Sequence, residues 1–284
     1  MCRFKSGIIL KSRCFIPNYD SHSEMLNELN IIDGFLNASK VFVRAELIPK
    51  NNEWWGSPDE WSFVVDQDII PDWFDSDKAG YEKLFRECVK LWWGEHVLID
   101  KKFDELANGY YRLKRCTVKK LLNDVQIICD SSMVQRMYGG STVQRMYDGS
   151  IVKEMYDSSI VKEICDSSIV QRMYGGSTVQ RMYDGSIVQE MCDSSTVQRM
   201  YDSSTVQRMY DSSIVQEMCD SSIVQRIYGS STVQRICGSS TVQEMYDSST
   251  VQEMYDSSIA RDYSNKKIYI SQYANLEVCK YDNN

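Results

Sequence analysis

The sequence predicts a mainly β protein, in which a small α+β amino-terminal domain precedes a two-sided parallel β-solenoid with 18-residue coils. A nine-residue unit, typified by residues 202–210, recurs fourteen times without insertion or deletion, and a strict short period is typical of stacked solenoids. All six tryptophans precede residue 120, which indicates a separate domain there. We therefore expect an α+β capping or interaction domain at residues 1–120, the nonapeptide solenoid at 121–261 and a carboxy-terminal cap at 262–284.

Short strands and a capped helix are predicted near the amino terminus. Residues 4–17 are expected to form a hairpin, because two apolar runs flank a polar turn. Ser21 and Glu24 have the spacing of a capping box, which predicts a short helix from Ser21. Residues 40–48 and 61–65 are rich in β-branched and aromatic side chains and are predicted strands.

An amphipathic helix over residues 77–93 is the clearest element of this domain, and Gly94 suits its end. Strands followed by a packing helix are typical of an α+β domain. Residues 109–129 are strand-like and are expected to lead into the first coil. The apolar face of the helix carries Tyr81, Leu84, Phe85, Cys88 and Trp92.

Each repeat combines a turn with a five- or six-residue strand. An Asp/Gly-Ser/Gly-Ser turn precedes a run rich in β-branched residues, and Gly or Ser pairs in every unit exclude a helix. Ser204, Val206 and Met209 are the predicted inward side chains. Gln207 and Arg208 must both lie outside, because burying an unpaired charge is too costly, so the strand has to bend or bulge there.

The charged slot two residues after the valine sets the coil length. If residues 18 apart are neighbours, 10 of 12 pairs join Arg to Glu, against 7 of 13 at a spacing of nine and 3 of 11 at 27. Opposite charges on adjacent strands stabilise a sheet by roughly 0.2–1 kcal/mol per pair. Two units per coil fit best, so fourteen units predict about seven coils, a stack about 33 Å long at ~4.8 Å per coil. The same spacing puts Cys219 and Cys237 on adjacent rungs, close enough to bridge if oxidised, and in a reducing cytoplasm they should remain thiols.

Two-unit coils place a row of aspartates, which we call the acid row, at one corner of the solenoid. Such a row predicts a site for a cation or a basic partner, or an imitation of a phosphate backbone. Alternatively, each carboxylate caps backbone N–H groups of its own Asp-Ser-Ser turn. The acid row, whose members are the candidate metal ligands, is Asp148, Asp166, Asp184, Asp202 and Asp220.

Other side chains are candidates for an interaction surface. Arg208 and Arg226 lie outward in the predicted coil. Tyrosines from alternate repeats form ladders, which either offer an aromatic surface or simply stack along the coil edge. Trp54 and Trp55 either line a pocket or pack in a core. The tyrosines of the first ladder are Tyr138, Tyr156 and Tyr174.

Residues able to carry chemistry are few. Cys2 becomes terminal once the initiator methionine is removed, and a terminal Cys acts as a nucleophile with its own amine as base; the alternative is a small apolar residue at a strand start. His22 and His96 are the only imidazole bases. Asp66 and Asp68 follow an apolar run in the pattern of a strand-end metal motif, or else they form a turn. The catalytic candidates are therefore Cys2 and His22, and no cofactor is expected.

The strict Asp-Ser-Ser-Thr-Val-Gln-Arg-Met-Tyr unit makes residues 125–259 resemble bacterial and phage proteins built from short β-solenoid repeats. That broad group includes pentapeptide- and hexapeptide-repeat proteins, from which this chain departs in period. Residues 1–6 look similar to uncharacterised proteins of gut bacteria and their phages, a resemblance that implies no activity. Some pentapeptide-repeat solenoids imitate DNA and inhibit topoisomerases, so the resemblance implies acidic mimicry as one function to test.

Charge and hydropathy exclude whole classes of function. A net charge of -8 disfavours direct nucleic-acid binding, and no stretch approaches the roughly 20 apolar residues of a membrane span. The cytoplasm is the default compartment. We expect a non-enzymatic interaction or scaffold protein with a protein partner, and self-association wherever a solenoid end is left open. The alternatives are an acidic nucleic-acid mimic that inhibits a DNA-handling protein and an enzyme that uses Cys2.

Overall fold

The computed structural model describes residues 4–263 and 275–278, and it confirms a mainly β fold with a small α+β region before a parallel β-solenoid. The chain divides into two compact units between Val97 and Leu98. Parallel strands therefore start upstream of residue 121, the residue at which the sequence predicts that the solenoid begins. Most of the predicted cap at 262–284 lies outside the described residues.

The first unit combines an antiparallel sheet with helices. Its elements are β1 (Lys5–Leu10), β2 (Arg13–Phe15), α1 (His22–Glu28), α2 (Phe35–Ala38), β3 (Phe42–Ile48), β4 (Ser62–Val65), α3 (Asp72–Asp75) and α4 (Lys78–His96), with 3₁₀ turns at Lys50–Asn52 and Pro58–Glu60. The strand order is β2-β1-β3-β4. The hairpin, the two later strands and the two longer helices are present as predicted. The one-turn helices α2 and α3 were not predicted, because so few residues cannot show a helical period.

Side-chain caps begin both longer helices. Ser21 Oγ accepts the backbone N–H of Glu24 at 3.3 Å, which confirms the helix start that the capping-box spacing predicts. Asp77 caps α4 in the same way. The prediction that α4 ends at Gly94 is wrong, since the helix continues to His96. A glycine costs a helix only about 1 kcal/mol, which the surrounding turns can offset.

Part of the core of the first unit lies between its sheet and α4. Ile8 of β1 is fully buried in a separate cluster with residues of α1. Phe85 and Trp92 turn inward from α4 as predicted, and Val89 joins them. Phe85 packs edge-on against Phe63 of β4, with ring centroids 5.8 Å apart. This helix therefore closes one face of the sheet.

The second unit is a stack of short strands that alternate between two parallel sheets. In chain order they are β5 (Val97–Ile99), β6 (Lys102–Leu106), β7 (Gly109–Lys114), β8 (Thr117–Leu121), β9 (Val125–Asp130), β10 (Met133–Met137), β11 (Thr142–Tyr147), β12 (Ile151–Met155), β13 (Ile160–Ile164), β14 (Ile169–Met173), β15 (Thr178–Met182), β16 (Ile187–Met191), β17 (Thr196–Met200), β18 (Thr205–Met209), β19 (Ile214–Met218), β20 (Ile223–Ile227), β21 (Thr232–Ile236), β22 (Thr241–Met245), β23 (Thr250–Met254), β24 (Ile259–Asp262) and β25 (Asn275–Val278). We call the sheet of the even-numbered strands β6 to β24, followed by β25, the even sheet; the odd-numbered strands β5 to β23 form the odd sheet.

Within the repeats, neighbouring strands are related by a shift of 18 residues, as the charge pattern predicts. Val206 of the even sheet pairs with Val188 on one side and with Val224 on the other. In the odd sheet, Val197 pairs with Val215 in the same way. Two nonapeptides therefore form one coil, with one strand in each sheet.

The inward side chains of the repeat are those that the sequence predicts. Ser204, Val206 and Met209 are fully buried. Gln207 and Arg208 both lie outside the core, and the ladder of paired residues passes from Val206 directly to Arg208. The break in strict alternation keeps the guanidinium in water.

Coils upstream of the repeats are shorter. Lys102 pairs with Thr117, 15 residues on, and Gly109 pairs with Val125, 16 residues on. Thr117 in turn pairs with Met133 at a spacing of 16. Across the described residues, the even and odd sheets hold 11 and 10 strands, more than the about seven coils that the nonapeptides alone predict. The repeat pattern does not predict these coils, because their turns lack the Asp-Ser-Ser sequence.

Candidate functional site

Rows of paired Arg and Glu side chains run along the outer faces of both sheets. In the odd sheet, Glu163 contacts Arg145 on one side and Arg181, at 2.7 Å, on the other. In the even sheet, Arg208 Nη2 lies 2.9 Å from Glu190 Oε1. Each such carboxylate links adjacent coils, which is the physical basis of the charge alternation.

Two neighbouring pairs carry like charge, Arg181 beside Arg199 and Arg208 beside Arg226. Each of these arginines turns away from its like neighbour to a glutamate on the far side. Arg226 Nε, for example, lies 2.7 Å from Glu244 Oε2, and this hydrogen bond holds the pKa of Glu244 below its usual range. The exceptions to the alternation are therefore compensated one coil away.

A polar cleft of about 410 Å³ crosses four rungs of the odd sheet. Amide groups and charged groups of both signs form its walls, so it offers hydrogen-bond donors and acceptors at the fixed spacing of a ladder. We call it the glutamine cleft. Its lining consists of Gln198, Gln216, Gln234 and Gln252, each with the charged residue that follows it.

Tyrosine ladders run beside the strands. Tyr138, Tyr156 and Tyr174 stack with ring centroids 5.2 Å apart and interplanar angles of 9° and 13°. The Tyr156 hydroxyl donates to Glu154 Oε2 at 3.0 Å. All three rings are half-buried, so stacking along the coil edge uses most of their surface and leaves a narrow aromatic strip outside.

The acid row occupies a left-handed backbone position. Its φ angles lie between +49° and +60°, a region that suits glycine and that Asp tolerates. Gly238 takes the same position one coil after Asp220. The observed carboxylate cap joins adjacent coils, because Asp220 Oδ2 accepts the N–H of Asp202, one coil upstream, at 3.4 Å. Backbone conformation therefore accounts for Asp at this corner.

All members of the acid row are exposed. The pKa of Asp148 is raised, first by partial burial and then by the like charges of Asp130 and Asp166. Crowded carboxylates of this kind would gain from a cation or a basic partner.

The tryptophan candidates differ in burial. Trp54 is 4% exposed and packs edge-on against Trp61, with ring centroids 5.2 Å apart. Its carbonyl accepts the Nε1–H of Trp93 at 3.1 Å. Trp55 is half-buried. Trp54 is thus a core residue, and of the two only Trp55 presents substantial surface.

Of the remaining candidates, Cys2 lies outside the described residues. His96 lies at the end of α4, where its ring stacks on Trp92 with centroids 4.9 Å apart and its Nδ1 bonds to the Trp92 carbonyl at 2.7 Å. The Cys219 and Cys237 side chains meet across adjacent rungs, with Cα atoms 4.8 Å apart, which confirms the predicted proximity.

Three side chains of metal-ligand type converge in the first unit although they are far apart in sequence. His22 is the first residue of α1, Glu46 lies on β3, and Asp66 directly follows β4. Sheet register brings the two acids together, because Glu46 pairs with Val64 and the Asp66 N–H donates to the Arg44 carbonyl at 2.9 Å. One ligand atom from each of the three side chains lies within 4.8 Å of the other two.

Burial and like charge shape the titration of this cluster. Burial, followed by the charges of Asp66 and Asp20, raises the pKa of Glu46 to about 7. Burial lowers the pKa of His22, in spite of the nearby Asp66 carboxylate. Asp20 is itself paired with the buried Lys5, whose Nζ lies 2.7 Å from Asp20 Oδ1.

The sequence signals for this cluster were partial. The sequence predicts His22 as a base and Asp66 with Asp68 in a metal motif, whereas in the structure Asp66 lies with His22 and Glu46. Glu46 was missed because it sits in an ordinary alternating strand. A surface cleft of about 610 Å³ adjoins the cluster, and Asp66 and the exposed Phe35 form part of its wall.

Within residues 4–263 and 275–278, no helix has both the length and the apolar character that a membrane crossing requires. No protein-family model matches this chain, and neither a curated protein nor a solved structure matches it.

Proposed function

We propose that this chain is a non-enzymatic interaction or scaffold protein whose solenoid presents a regular outer face to a protein partner. The glutamine cleft is the observation that carries the proposal. Its amides stand beside charges of both signs, so it offers specific hydrogen bonds without one dominant charge. Such a mixed surface suits a protein, whereas a nucleic acid requires surplus positive charge.

The packing beneath this face supports the same proposal. Val197, Val215 and Val233 are fully buried behind the cleft. Each of these strands is bonded to a neighbour on both sides, so the outer face is held in place before a partner arrives. A preorganised face loses less conformational entropy on binding than a flexible one.

A matched pair of variants tests the proposal. In the cleft variant, Gln198, Gln216, Gln234 and Gln252 are replaced by Thr, which keeps β propensity and removes the amides. The control carries the same change on the even sheet. Partners are cross-linked in the native host and quantified by mass spectrometry. The control positions are Gln189, Gln207, Gln225 and Gln243.

We expect a protein that the wild type and the control capture equally and that the cleft variant captures at least about tenfold less. Equal capture by all three chains contradicts the proposal, and so does the absence of any captured protein. Far-UV circular dichroism has to show the same strand content in all three chains, so that lost capture reports the surface and not unfolding.

A second candidate function is acidic mimicry of nucleic acid, by which the chain would inhibit a DNA-handling protein. The exposed acid row, with one carboxylate per coil, favours it. Replacing all five members by Asn is the sharpest test, because Asn tolerates the left-handed conformation and keeps an acceptor oxygen. Salt-sensitive binding to a topoisomerase that the Asn variant loses would support mimicry. Binding that the Asn variant retains in full would exclude it.

A third candidate, an enzyme with Cys2 as nucleophile, rests on the sequence alone. Brief alkylation followed by mass spectrometry tests it, since a terminal thiolate reacts faster than a buried thiol such as Cys129. The proposal also includes a cytoplasmic location, affiliation with short-period bacterial and phage solenoids, and self-association through an uncapped solenoid end. Direct nucleic-acid binding is not part of it.

A further inference from the structure

His22 lies between two oxygen atoms that both accept hydrogen bonds. Its side chain is 10% exposed, Nδ1 lies 3.1 Å from Asp66 Oδ2, and Nε2 lies 3.4 Å from the Ala45 carbonyl oxygen. A carbonyl can only accept, so the proton of the neutral ring belongs on Nε2. The lone pair of Nδ1 then faces a carboxylate, and the two acceptors repel unless a positive charge lies beside them.

This arrangement is the one that metal-binding histidines adopt. Such a ring donates one N–H to a backbone carbonyl or carboxylate, which fixes the tautomer, and turns the other nitrogen to the ion. In this chain the Ala45 carbonyl of β3 holds His22, and Nδ1 points to Asp66. The hydrogen bond that would orient a ligating histidine is therefore in place.

Glu46 brings a second carboxylate to the same point. It is half-buried, and among the described residues it has no ion-pair partner. The basic side chains of the neighbouring strands are engaged elsewhere, Lys5 with Asp20 and Arg44 with Asp33. Burying a carboxylate without a compensating charge is costly, so this position also favours a cation.

An ion can reach the cluster from solvent. Asp66 has a side chain that is 58% exposed, and it lines the cleft of about 610 Å³ beside α2. Water can enter through the same opening.

We propose that His22, Glu46 and Asp66 bind a divalent first-row transition cation, and that water from the cleft completes its coordination. One imidazole nitrogen and two carboxylate oxygens suit Mn²⁺ or Zn²⁺, and three protein ligands are the usual number in sites that keep a position open. Ligand atoms about 2.0–2.2 Å from an ion lie at most about 4.4 Å apart. The cluster, which spans up to 4.8 Å, has to contract slightly, and the exposed Asp66 side chain can rotate to do so.

Mn²⁺ binding to the full chain, followed by electron paramagnetic resonance, tests this site independently of the solenoid face. The protein is stripped with a chelator and titrated with Mn²⁺, a hard ion that the thiols of its ten cysteines bind poorly. We expect one ion per chain. Asp66→Asn and His22→Ala should each weaken binding at least about tenfold, because even outer-shell changes cost that much. Asp75→Asn, at an exposed carboxylate of α3 that does not line the cleft, is the control and should change nothing.

Two results would overturn the site. One is binding that is absent or equal in all variants. The other is a nuclear magnetic resonance spectrum in which both nitrogens of His22 are protonated and Zn²⁺ changes nothing. An imidazolium paired with Asp66 would then supply the positive charge that the proposal assigns to the ion. Asp66→Asn preserves shape at an exposed position, and unchanged tryptophan fluorescence will show that the first unit remains folded. Loss of binding in that variant therefore reports a lost ligand.

Discussion

The first unit and the solenoid both bury apolar side chains, but they differ in how far one position resembles the next. In the solenoid, Val206 is buried between Val188 and Val224, so each valine packs among copies of itself. In the first unit, Phe85 packs against residues from several unlike elements. Repetition makes positions interchangeable, whereas a non-repeating core makes each position unique. Unlike side chains can converge on one site only in the second kind of core.

Removing a unique core residue should produce the largest loss of stability. We expect Phe85→Ala to lower the free energy of unfolding of the first unit by about 3–5 kcal/mol, because a fully buried ring is lost. All six tryptophans lie in that unit, so their fluorescence during urea unfolding measures it. The solenoid counterpart is Met209→Ile, which should cost less than about 1.5 kcal/mol, since Ile227 and Ile236 already fill equivalent slots. Equal losses would refute interchangeability.

Adding a side-chain atom to the same core should cost somewhat less stability than removing the ring of Phe85. A Cβ added at Gly7 would lie 2.8 Å from Phe85 Cε2 and 2.9 Å from the Phe15 carbonyl oxygen. Gly7→Ala should therefore destabilise the first unit by about 1–3 kcal/mol. Gly94→Ala is the control, because nothing lies within 4 Å of its added Cβ, and it should stabilise helix α4 by about 0.5–1 kcal/mol. Tryptophan fluorescence during urea unfolding again separates the two.

The convergence of ligand-type residues could not be predicted from sequence. Like the core of the first unit, it depends on contacts between unlike elements. The capping box at Ser21 and the apolar face of α4 are local patterns, and both predicted their elements. The approach of Glu46 to Asp66 depends on the antiparallel register of β3 and β4, which no local pattern encodes. The solenoid is the opposite case, because each coil repeats its neighbour and pairwise charges reveal the register.

A corner of the solenoid offers a test at a single backbone position. Asp202 has a φ of +54°, where a β-branched side chain is strained. Asp202→Val should lower the melting temperature, at a cost of about 1–2 kcal/mol, measured by far-UV circular dichroism. Asp202→Gly should be nearly neutral, since Gly238 occupies the equivalent corner. A tolerated valine would show that the acid row is not retained for its conformation.

The rows of paired Arg and Glu side chains should contribute less to stability than the corner residues do. Glu163→Gln leaves Arg145 and Arg181 without their shared carboxylate, and we expect a loss of up to about 1 kcal/mol that high salt reduces. Glu253→Gln should cost less, because Glu253 is 49% exposed and contacts Arg235 on one side. Urea midpoints at low and high salt measure both effects. A larger loss for Glu253→Gln would contradict the sharing of carboxylates between coils.

The smallest effect on stability should appear at acidic pH. The hydrogen bond from Arg226 holds the pKa of Glu244 below its ordinary value of 4.5, so the ionised form is favoured in the folded chain. The stability that Glu244 contributes is present above pH 4.5 and is lost as the pH falls through the lowered pKa. Wild type should therefore lose slightly more stability than Glu244→Gln between neutral pH and pH below 4.5. Urea midpoints at several pH values measure the difference, and parallel curves would contradict it.

A coil built from two nonapeptides makes the number of repeats a matter of parity. Unequal recombination between near-identical repeats can add or remove units, and a step of two units leaves every downstream strand in its own sheet. A step of one unit moves all downstream strands to the opposite sheet, and within the glutamine cleft such a step would divide its four rungs between two faces. Recombination in even steps therefore changes the length of the stack and preserves its surfaces, and fourteen is an even number.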